Sequence, residues 1–303
     1  MYDIIGDVHG HADKLEALLR KMGYRERDGV WRHPERKLIS VGDLVDRGTQ
    51  NRRTVDIVRA MQEAGEALVI MGNHEFNAVA WATYDEHGEP LRPHSPHRFE
   101  QHEAFLREAE AAPEWYQRTL AWFRSLPLYL ELPELHVTHA CWHEPSRQII
   151  DAHTDENGAL LDHAWQLGAR RGHELYDAIE VMAKGWEIEL PEGYSFRDKS
   201  QHERFHIRTQ WWRDDSRLYR DIALGVDDVS NLPSGEVPGS ALPGYDHAKP
   251  LFLGHYWMKG QPCLQSAKIA CVDWSAGKGG PMVAYRFDGE SELSNDKFVA
   301  AHP

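Results

Sequence analysis

The sequence has few cysteines, no long apolar run and few basic residues beside its acidic ones, and each shortage argues against a class of protein. The three cysteines among its 303 residues lack the spacing of a disulfide framework, which favours a reducing compartment. No apolar stretch approaches the ~18 residues that a membrane-spanning helix needs. A signal peptide is hard to place, because a polar motif already begins at Gly6. We therefore expect a cytoplasmic protein without a membrane partner.

The charge balance narrows the range of partners further. The chain has 34 Lys and Arg against 48 Asp and Glu, a formal net charge of -14. This argues against general nucleic-acid binding, which needs a basic face. It does not exclude an anionic substrate, because bound metal ions can invert the local field. With 41% hydrophobic residues, the chain can form a sizeable core.

Five short apolar runs each end at or just before a polar residue. The runs are 2–5, 38–41, 67–71, 135–138 and 251–253, and the residues that follow are Asp7, Asp43, Asn73, His139 and His255. Short aliphatic runs that end in this way predict buried strands. Because function in α/β sheets collects where the strands end, we expect these side chains at one sheet edge, where they would form a metal site.

The spacing of apolar residues between these runs predicts further elements. Helices are expected near 11–22 and 52–64, which gives a βαβαβ order with parallel strands. Residues 99–125 read as helical, and 128–132 with 135–140 read as a hairpin. Within 151–247 we expect helices at 158–170 and 173–184 and a long loop at 230–245. The last strands are predicted at 251–254, 267–273 and 281–287.

The residue types in the polar motifs suit a pair of divalent metal ions. In GDVHG, Asp7 and His9 alternate along an extended segment, so both point to the same side. Asp43 adds a carboxylate that can bridge two cations. The neutral ligands would be Asn73, His139 and His255. Mixed oxygen and imidazole donors suit manganese, iron or zinc better than calcium, and two ions ~3.5–4 Å apart form a hydrolytic centre.

Three further residues in these motifs fit the cleavage of a phosphate ester. His74, in GNHE, follows the candidate ligand Asn73 and is placed to protonate a leaving oxygen. Asp46, in GDLVDRG, can orient the ring of His74 by hydrogen bonding. Arg47 presents a fixed fork of donors to phosphate oxygens. The sequence therefore predicts an acid pair and a phosphate-binding arginine beside the metal site.

These motifs resemble those of the calcineurin-like metallophosphoesterase superfamily, most closely its phosphoprotein phosphatase branch. The resemblance covers 1–80 closely, and 136–143 and 251–287 more loosely. It implies an α/β fold with a central β-sandwich flanked by helices. It also implies two metal ions, Mn²⁺ first, with iron, zinc, nickel or cobalt as alternatives. The first ion would be bound by Asp7, His9 and Asp43, and the second by Asp43, Asn73, His139 and His255.

Residues 151–247 depart from the protein phosphatase pattern. We expect one metallophosphoesterase domain over 1–303, in which this stretch is a helical and loop insertion that caps the site. The resemblance implies a second phosphate-binding arginine in the insertion, and Arg208 and Arg213 are both candidates. The chain is more similar to a bacterial branch that includes dinucleoside tetraphosphate hydrolases and small serine/threonine protein phosphatases.

Four of the eleven tryptophans lie close to candidate site residues. Trp142 and Trp257 follow the two late histidines, and Trp211 and Trp212 precede Arg213. These side chains either pack in the core and at the rim of the site or form a platform on which a nucleobase stacks. Core packing is the more common role for such residues, but the second interpretation favours a nucleotide substrate.

Together these features predict a hydrolase that cleaves a phosphoester or phosphoanhydride with metal-activated hydroxide. The expected substrate is a nucleotide, such as a dinucleoside polyphosphate. The alternative is a phosphoprotein phosphatase that acts on phosphoserine or phosphothreonine. The negative charge disfavours an RNA-end phosphatase. The complete ligand set disfavours a non-catalytic metal-binding scaffold.

Overall fold

The structure of the protein, a computed structural model, describes residues 1–197, 202–246 and 248–302. Strands and helices alternate through its first half, as the sequence predicts. The elements of this half are β1 (Tyr2–Ile5), α1 (Ala12–Met22), β2 (Arg25–Arg27), β3 (Val30–Arg32), β4 (Lys37–Ser40), α2 (Asn51–Glu63), β5 (Ala67–Val69), α3 (Asn73–Ala82), α4 (Pro96–Ala111), α5 (Pro113–Arg124), β6 (Tyr129–Glu131) and β7 (His136–Thr138).

The second half begins with three helices and continues with short strands. Its elements are α6 (Glu144–Asp151), α7 (Asp162–Ala169), α8 (Glu174–Lys184), β8 (Glu187–Glu189), β9 (Phe196–Arg197), β10 (Glu203–Arg204), β11 (His206–Thr209), α9 (Tyr219–Ile222), β12 (Ala223–Leu224), β13 (Leu251–Leu253), β14 (Ile269–Cys271), β15 (Met282–Phe287) and β16 (Phe298–Ala301). Among the residues that the structure describes, none of the helices combines the length and the apolar character that crossing a membrane requires.

Two mixed sheets form the centre of the fold. The five-stranded sheet has the order β16-β15-β1-β4-β5, and β1, β4 and β5 in it are parallel. The four-stranded sheet has the order β14-β13-β7-β6, and β7, β13 and β14 in it are parallel. Ile5 pairs with Ser40, and Ser40 pairs with Val69, so the three parallel strands of the first sheet end level. The predicted site residues follow these strand ends.

Apolar side chains from both sheets fill the space between them. Ile4 and Ile39 of the first sheet and Val137 and Phe252 of the second belong to one fully buried cluster. The outer face of the first sheet packs against α1 and α2, and the largest apolar cluster extends from there through α3 to α8. Removing this much apolar surface from water is the main source of stability. The predicted α/β fold, a central β-sandwich flanked by helices, is confirmed.

The helix predicted over 99–125 is two helices in the structure. Ala112, between α4 and α5, has a φ of -146° and a ψ of 69°, outside the helical region. Pro113 follows at the first position of α5. Proline disfavours a helical conformation in the residue before it and is well tolerated where a helix begins. The break therefore follows from one residue, Pro113, and α4 and α5 contact each other across it.

Part of the stretch 151–247 folds around a small core of its own. The predicted helices are confirmed as α7 and α8, and 230–245 is a loop that begins with a 3₁₀ turn at Val229–Asn231 and pairs with Leu218 through Glu236. The sheet β12-β11-β8 is not anticipated by the sequence. Ile188, Ile207 and Ile222 are buried together beside it. Residues 198–201 and 247 of this stretch lie outside the described residues.

Candidate metal centre

The loops after β1 and β4 are joined by backbone hydrogen bonds. The N–H groups of Val8 and His9 both donate to the carbonyl oxygen of Asp43, at 3.0 and 2.9 Å. His9 and Asp43 have positive φ angles of 48° and 53°. Such angles are uncommon for residues other than glycine and cluster at functional sites. The two loops therefore form one unit that holds Asp7, His9 and Asp43 close together.

Glu75 joins the loop after β4 to the loop after β5. Its carboxylate accepts hydrogen bonds from the N–H groups of Asp43, Leu44 and Gly72, at 2.8, 2.8 and 2.9 Å. A side chain at Gly72 would collide with the carboxylate of Asp43, so the close approach requires glycine. Glu75 belongs to the GNHE motif, but its role could not be predicted from the sequence, because two of its three partners, Asp43 and Leu44, lie on another loop.

The predicted ligand side chains converge on the carboxylate of Asp43. Its Oδ2 lies 3.7 Å from Nε2 of His9 and 3.3 Å from Nε2 of His139. Nε2 of His9 is 3.9 Å from Oδ2 of Asp7, and Oδ1 of Asn73 is 3.2 Å from Nε2 of His139. The ring of His255 lies 5.3 Å from that of His139. All six predicted ligands are buried.

This arrangement fits metal ions. Two donors bound at ~2.1 Å to one ion lie roughly 3–4 Å apart, as the donors around Asp43 do. Nε2 of His9 and Nε2 of His255 are buried without a hydrogen-bond partner, although such atoms are normally satisfied. Asp43 belongs to two groups of possible metal donors. One group is His9, Asp43 and His74, and the other is Asp43, His139 and His255.

Hydrogen bonds at the other ring nitrogen orient two of the imidazoles. Nδ1 of His9 lies 2.9 Å from the carbonyl oxygen of Val45, and Nδ1 of His139 lies 2.6 Å from that of Val41. Because carbonyl oxygens only accept, each Nδ1 carries a proton and donates it. Nε2 is then left facing the centre, which is the usual arrangement of a histidine that binds a metal ion.

Burial acts strongly on the charges of the site. Burial raises the pKa of Asp7 well above its usual range, and the charges of Asp273 and Asp43 add to this. Burial also lowers the pKa of His9 to about 3, with a contribution from His74, so this ring is neutral and able to bind a metal ion. Burial opposes ionisation of Asp43, but the surrounding histidines outweigh it and lower its pKa. Crowded carboxylates of this kind are stabilised by cations.

His74 differs from the other imidazoles because its partner is a carboxylate. Its Nδ1 lies 2.5 Å from Oδ2 of Asp46, and its Nε2 lies 3.8 Å from Oδ2 of Asp43. Burial lowers the pKa of His74, but Asp43 and Asp46 outweigh it, and the net shift is upward. His74 lies close enough to His9 and Asp43 to share a metal ion with them. Its raised pKa favours the protonated ring, however, and a protonated ring suits acid chemistry rather than metal binding. The predicted pairing of His74 with Asp46 is present.

Asp46 has a second imidazole partner that the sequence analysis did not identify. Nδ1 of His102, in α4, lies 2.7 Å from Oδ1 of Asp46. His102 is 4% exposed. It lies three residues before Phe105 and seven before Ala109, which are also buried. A histidine on the apolar face of a helix was the available signal, but the sequence does not show which loop that face meets.

The three candidate phosphate-binding arginines have different surroundings. Arg47 is exposed, and its guanidinium lies 4.2 Å from the ring centroid of Trp257. The pKa of His255 is lowered mainly by burial. The charge of Arg208, in β11, contributes to the same shift. Arg213 points to Asp215, with Nε and Nη2 each 2.7 Å from a carboxylate oxygen. Arg213 is thus engaged by a neighbouring carboxylate, whereas the charge of Arg208 acts on His255.

The tryptophans mostly pack in the core. Trp142, Trp211 and Trp212 are 6%, 0% and 3% exposed, and they pack against the outer face of the four-stranded sheet. A nucleobase has no access to these rings, so the stacking interpretation is wrong for the three. Trp257 is half-buried and lies at the rim. Its ring contacts Arg47 and also Lys278, whose Nζ is 3.3 Å from the ring centroid.

A cavity of about 590 Å³ opens beside the acid pair. Arg47, His74 and Trp257 line it on the side of the metal centre. Helix α4 forms the opposite wall, which is polar and includes Gln101 and Glu103. Because His74 faces both the centre and the cavity, a group that leaves a phosphorus atom at the centre would depart into this space.

Comparison with known proteins identifies related sequences. The family described as calcineurin-like phosphoesterase matches residues 2–228. The bis(5'-nucleosyl)-tetraphosphatase PrpE (asymmetrical) of Geobacillus sp. strain WCH70 is 45% identical over 73 residues, which are 24% of this chain and 30% of that protein. The corresponding protein of Bacillus velezensis is 34% identical over 144 residues, 46% of this chain and 55% of that protein. The matches span about a third to a half of these relatives.

Solved structures of phosphatases align over more of the chain but less closely. The protein serine/threonine phosphatase from Saccharomyces cerevisiae with similarity to human phosphatase PP5 covers 99% of this chain and 78% of its own, at a TM-score of 0.49 and 15% identity. The cold-active protein-tyrosine phosphatase of a psychrophilic Shewanella species covers 94% of this chain and 74% of its own, at a TM-score of 0.47 and 18% identity.

Proposed function

The chain belongs to the calcineurin-like phosphoesterase family, and from this premise we propose that it is a two-metal phosphoesterase that hydrolyses nucleotides such as dinucleoside polyphosphates. The observation that carries the proposal is the convergence of seven buried side chains from five strand ends. They are Asp7, His9, Asp43, Asn73, His74, His139 and His255. A scaffold that had lost its activity would be expected to have lost ligands or the acid, and none is missing here.

Six of these side chains would hold the metal ions. Asp43 would bridge them, because its carboxylate lies at the centre of both donor groups. When bound, the ions would lower the pKa of water and polarise the oxygens of a phosphoryl group. Manganese is our first choice, because mixed carboxylate, amide and imidazole donors suit it. Arg47 and Arg208 would bind the non-bridging oxygens by charge-assisted hydrogen bonds.

His74 would protonate the leaving oxygen. Asp46 holds Nδ1 of its ring, which leaves the Nε2 proton directed toward the centre. The upward shift of its pKa favours the protonated ring, which an acid requires. Transfer of this proton would avoid the release of a charged alkoxide or phosphate oxygen into the cavity. The leaving group would then diffuse out past α4.

The choice of a nucleotide rests on the relatives. The matched relatives are bis(5'-nucleosyl)-tetraphosphatases, and they are 45% identical over 73 residues and 34% identical over 144 residues of this chain. We propose that the segment 151–247 caps the site, supported by the position of Arg208. We also place the protein in the cytoplasm, because Cys141, Cys263 and Cys271 are all unpaired.

Turnover by purified, manganese-loaded protein tests the proposal. Diadenosine tetraphosphate should yield two nucleotides, and Asp43→Asn or His74→Ala should reduce turnover by about 100-fold or more. His163→Asn, which removes an exposed imidazole on α7, serves as the matched control. Wild-type turnover in Asp43→Asn would show that the mechanism is wrong. Release of inorganic phosphate from a phosphopeptide, without dinucleotide cleavage, would identify a phosphoprotein phosphatase instead.

A further inference from the structure

Both carboxylate oxygens of Asp46 are occupied by imidazoles from different helices. Oδ2 faces Nδ1 of His74 at 2.5 Å, and Oδ1 faces Nδ1 of His102 at 2.7 Å. His74 lies at the start of α3, and His102 lies in the first half of α4. A carboxylate that is held at one oxygen only can rotate about its bond to Cβ. A second hydrogen bond to the other oxygen fixes the plane of the group.

His102 is itself held in a fixed position. Its ring is 4% exposed and lies 5.1 Å from the ring of Phe105 and 5.8 Å from that of Trp81. The backbone of Asp46 is fixed independently, because its N–H donates to Oδ1 of Asn51 at 2.7 Å. Asp46 also has a positive φ of 73°. The loop thus fixes the backbone of Asp46, and α4 fixes its carboxylate through His102.

His102 makes its hydrogen bond through one ring nitrogen. Nδ1 lies 2.7 Å from Oδ1 of Asp46, and Nε2 is buried without a hydrogen-bond partner. Because an ionised carboxylate only accepts, Nδ1 carries a proton and donates it to Asp46. His102 therefore acts on Asp46 through one directed hydrogen bond.

We propose that His102 is a positioning residue for the acid step, which fixes Asp46 so that Asp46 can orient His74. The inference rests on the proposed function, because it assigns His102 a part in the same reaction. His102 is not among the residues that line the cavity beside His74, and its side-chain hydrogen bond is to Asp46, so it acts through Asp46. Helix α4 also forms a wall of that cavity, so the support for the acid and the space for the leaving group belong to one element.

Two esters that differ in the leaving group test the proposal. 4-Nitrophenyl phosphate releases a stable anion and depends little on an acid, whereas phenyl phosphate depends on one strongly. His102→Leu should lower kcat for phenyl phosphate by about ten-fold or more, with little change for 4-nitrophenyl phosphate and in KM for both. His102→Asn keeps a donor near the position of Nδ1 and should restore most of kcat.

Controls separate positioning from stability. Ala109→Gly weakens the same helix at a buried position that does not touch Asp46, and it should affect both esters alike. In a His74→Ala background, His102→Leu should cause no further loss, because the acid that it supports is absent. An equal loss on both esters in His102→Leu, or a further loss in the His74→Ala background, would overturn the proposal.

A spectroscopic measurement makes the test independent of turnover. In protein labelled with ¹⁵N at the histidine rings, His102→Leu should shift the ring nitrogen signals of His74, and His102→Asn should shift them less. Unchanged His74 signals in His102→Leu would overturn the role of His102. A wild-type protein that cleaves no phosphoester would overturn the proposed function, and the nitrogen signals would still decide whether His102 positions His74 through Asp46.

Discussion

The guanidinium of Arg47 lies over the indole ring of Trp257, with Cζ 4.2 Å from the ring centroid. The backbone N–H of Trp257 donates to Oδ2 of Asp273 at 2.7 Å, which fixes the turn that carries the ring. Lys278 contacts the same ring. Cation–π contacts hold a cation in place without neutralising its charge. Trp257 therefore supports Arg47, the proposed phosphate-binding arginine, which is a different role from that of a stacking platform.

Removing the ring should weaken substrate binding. Because a cation–π contact at an exposed site contributes about 0.5–1 kcal/mol, Trp257→Leu should raise KM by about two- to five-fold with a smaller effect on kcat. Trp257→Phe keeps an aromatic face, so its KM should lie between those of the wild type and Trp257→Leu. Arg20→Met removes a cation over Trp31, remote from the site, and should leave KM unchanged. Unchanged KM in Trp257→Leu would show that Arg47 needs no support from the ring.

Glu75 should be important for both stability and metal binding. Glu75→Gln replaces one carboxylate oxygen with an amide that cannot accept, so at least one of the three N–H groups in the loops loses its partner. A buried donor without a partner costs about 1–3 kcal/mol, and we expect a loss of this size in urea unfolding together with lower metal content. Glu103→Gln, on the surface of α4, should change stability by less than about 0.5 kcal/mol. A Glu75→Gln protein with normal stability and metal content would contradict this role.

The convergence of the predicted ligands could be anticipated because they follow strand ends, where the sequence pattern and the structure coincide. Asp7, Asp43 and Asn73 come directly after buried parallel strands, and parallel strands bring their ends to one edge. His102 could not be placed in this way. Its position depends on how α4 packs over the loop of Asp46, and local periodicity gives the buried face of a helix without its partner.

The choice between arginines shows the same limit. Arg208 and Arg213 are five residues apart, and the sequence allows either side chain to reach the sheet edge that carries the site. The difference arises from pairing of β11 with β8 and β12, which the sequence did not reveal, and from Asp215, which binds Arg213. Short strands in a polar segment do not show enough alternation of apolar and polar residues to be recognised from the sequence.

An ion pair far from the site should make stability depend on pH. Asp288 contacts Arg36 and Lys297, and these hydrogen bonds lower its pKa from 3.8 to about 2. A lowered pKa in the folded state stabilises the protein above pH 3.8, and this stabilisation is lost as the pH falls toward 2. Because Asp288 is partly exposed, screening limits the contribution to about 0.5–1 kcal/mol.

Asp288→Asn tests this dependence in equilibrium unfolding by urea. The variant should be less stable than the wild type near neutral pH, and the difference should shrink as the pH falls below 3.8. Glu292→Gln removes an exposed carboxylate in the same region and should follow the wild type at every pH. A difference between Asp288→Asn and the wild type that stays constant on acidification would show that the effect is not electrostatic.

Substitution of the two candidate arginines should give different results. A charge-assisted hydrogen bond to phosphate contributes about 1.5–3 kcal/mol, so Arg208→Met should lower kcat/KM by about 10- to 100-fold if Arg208 binds the substrate. Nε of Arg208 is buried without a hydrogen-bond partner, and its Nη2 lies 3.6 Å from Oε1 of Glu187. Arg213→Met should change kcat/KM by less than about three-fold, because its guanidinium is committed to Asp215.

Measurement of metal content in both variants distinguishes lost phosphate binding from a disturbed centre, since the charge of Arg208 acts on His255. The reverse order of effects would assign the second phosphate-binding position to Arg213, and would require its contact with Asp215 to break when the substrate binds.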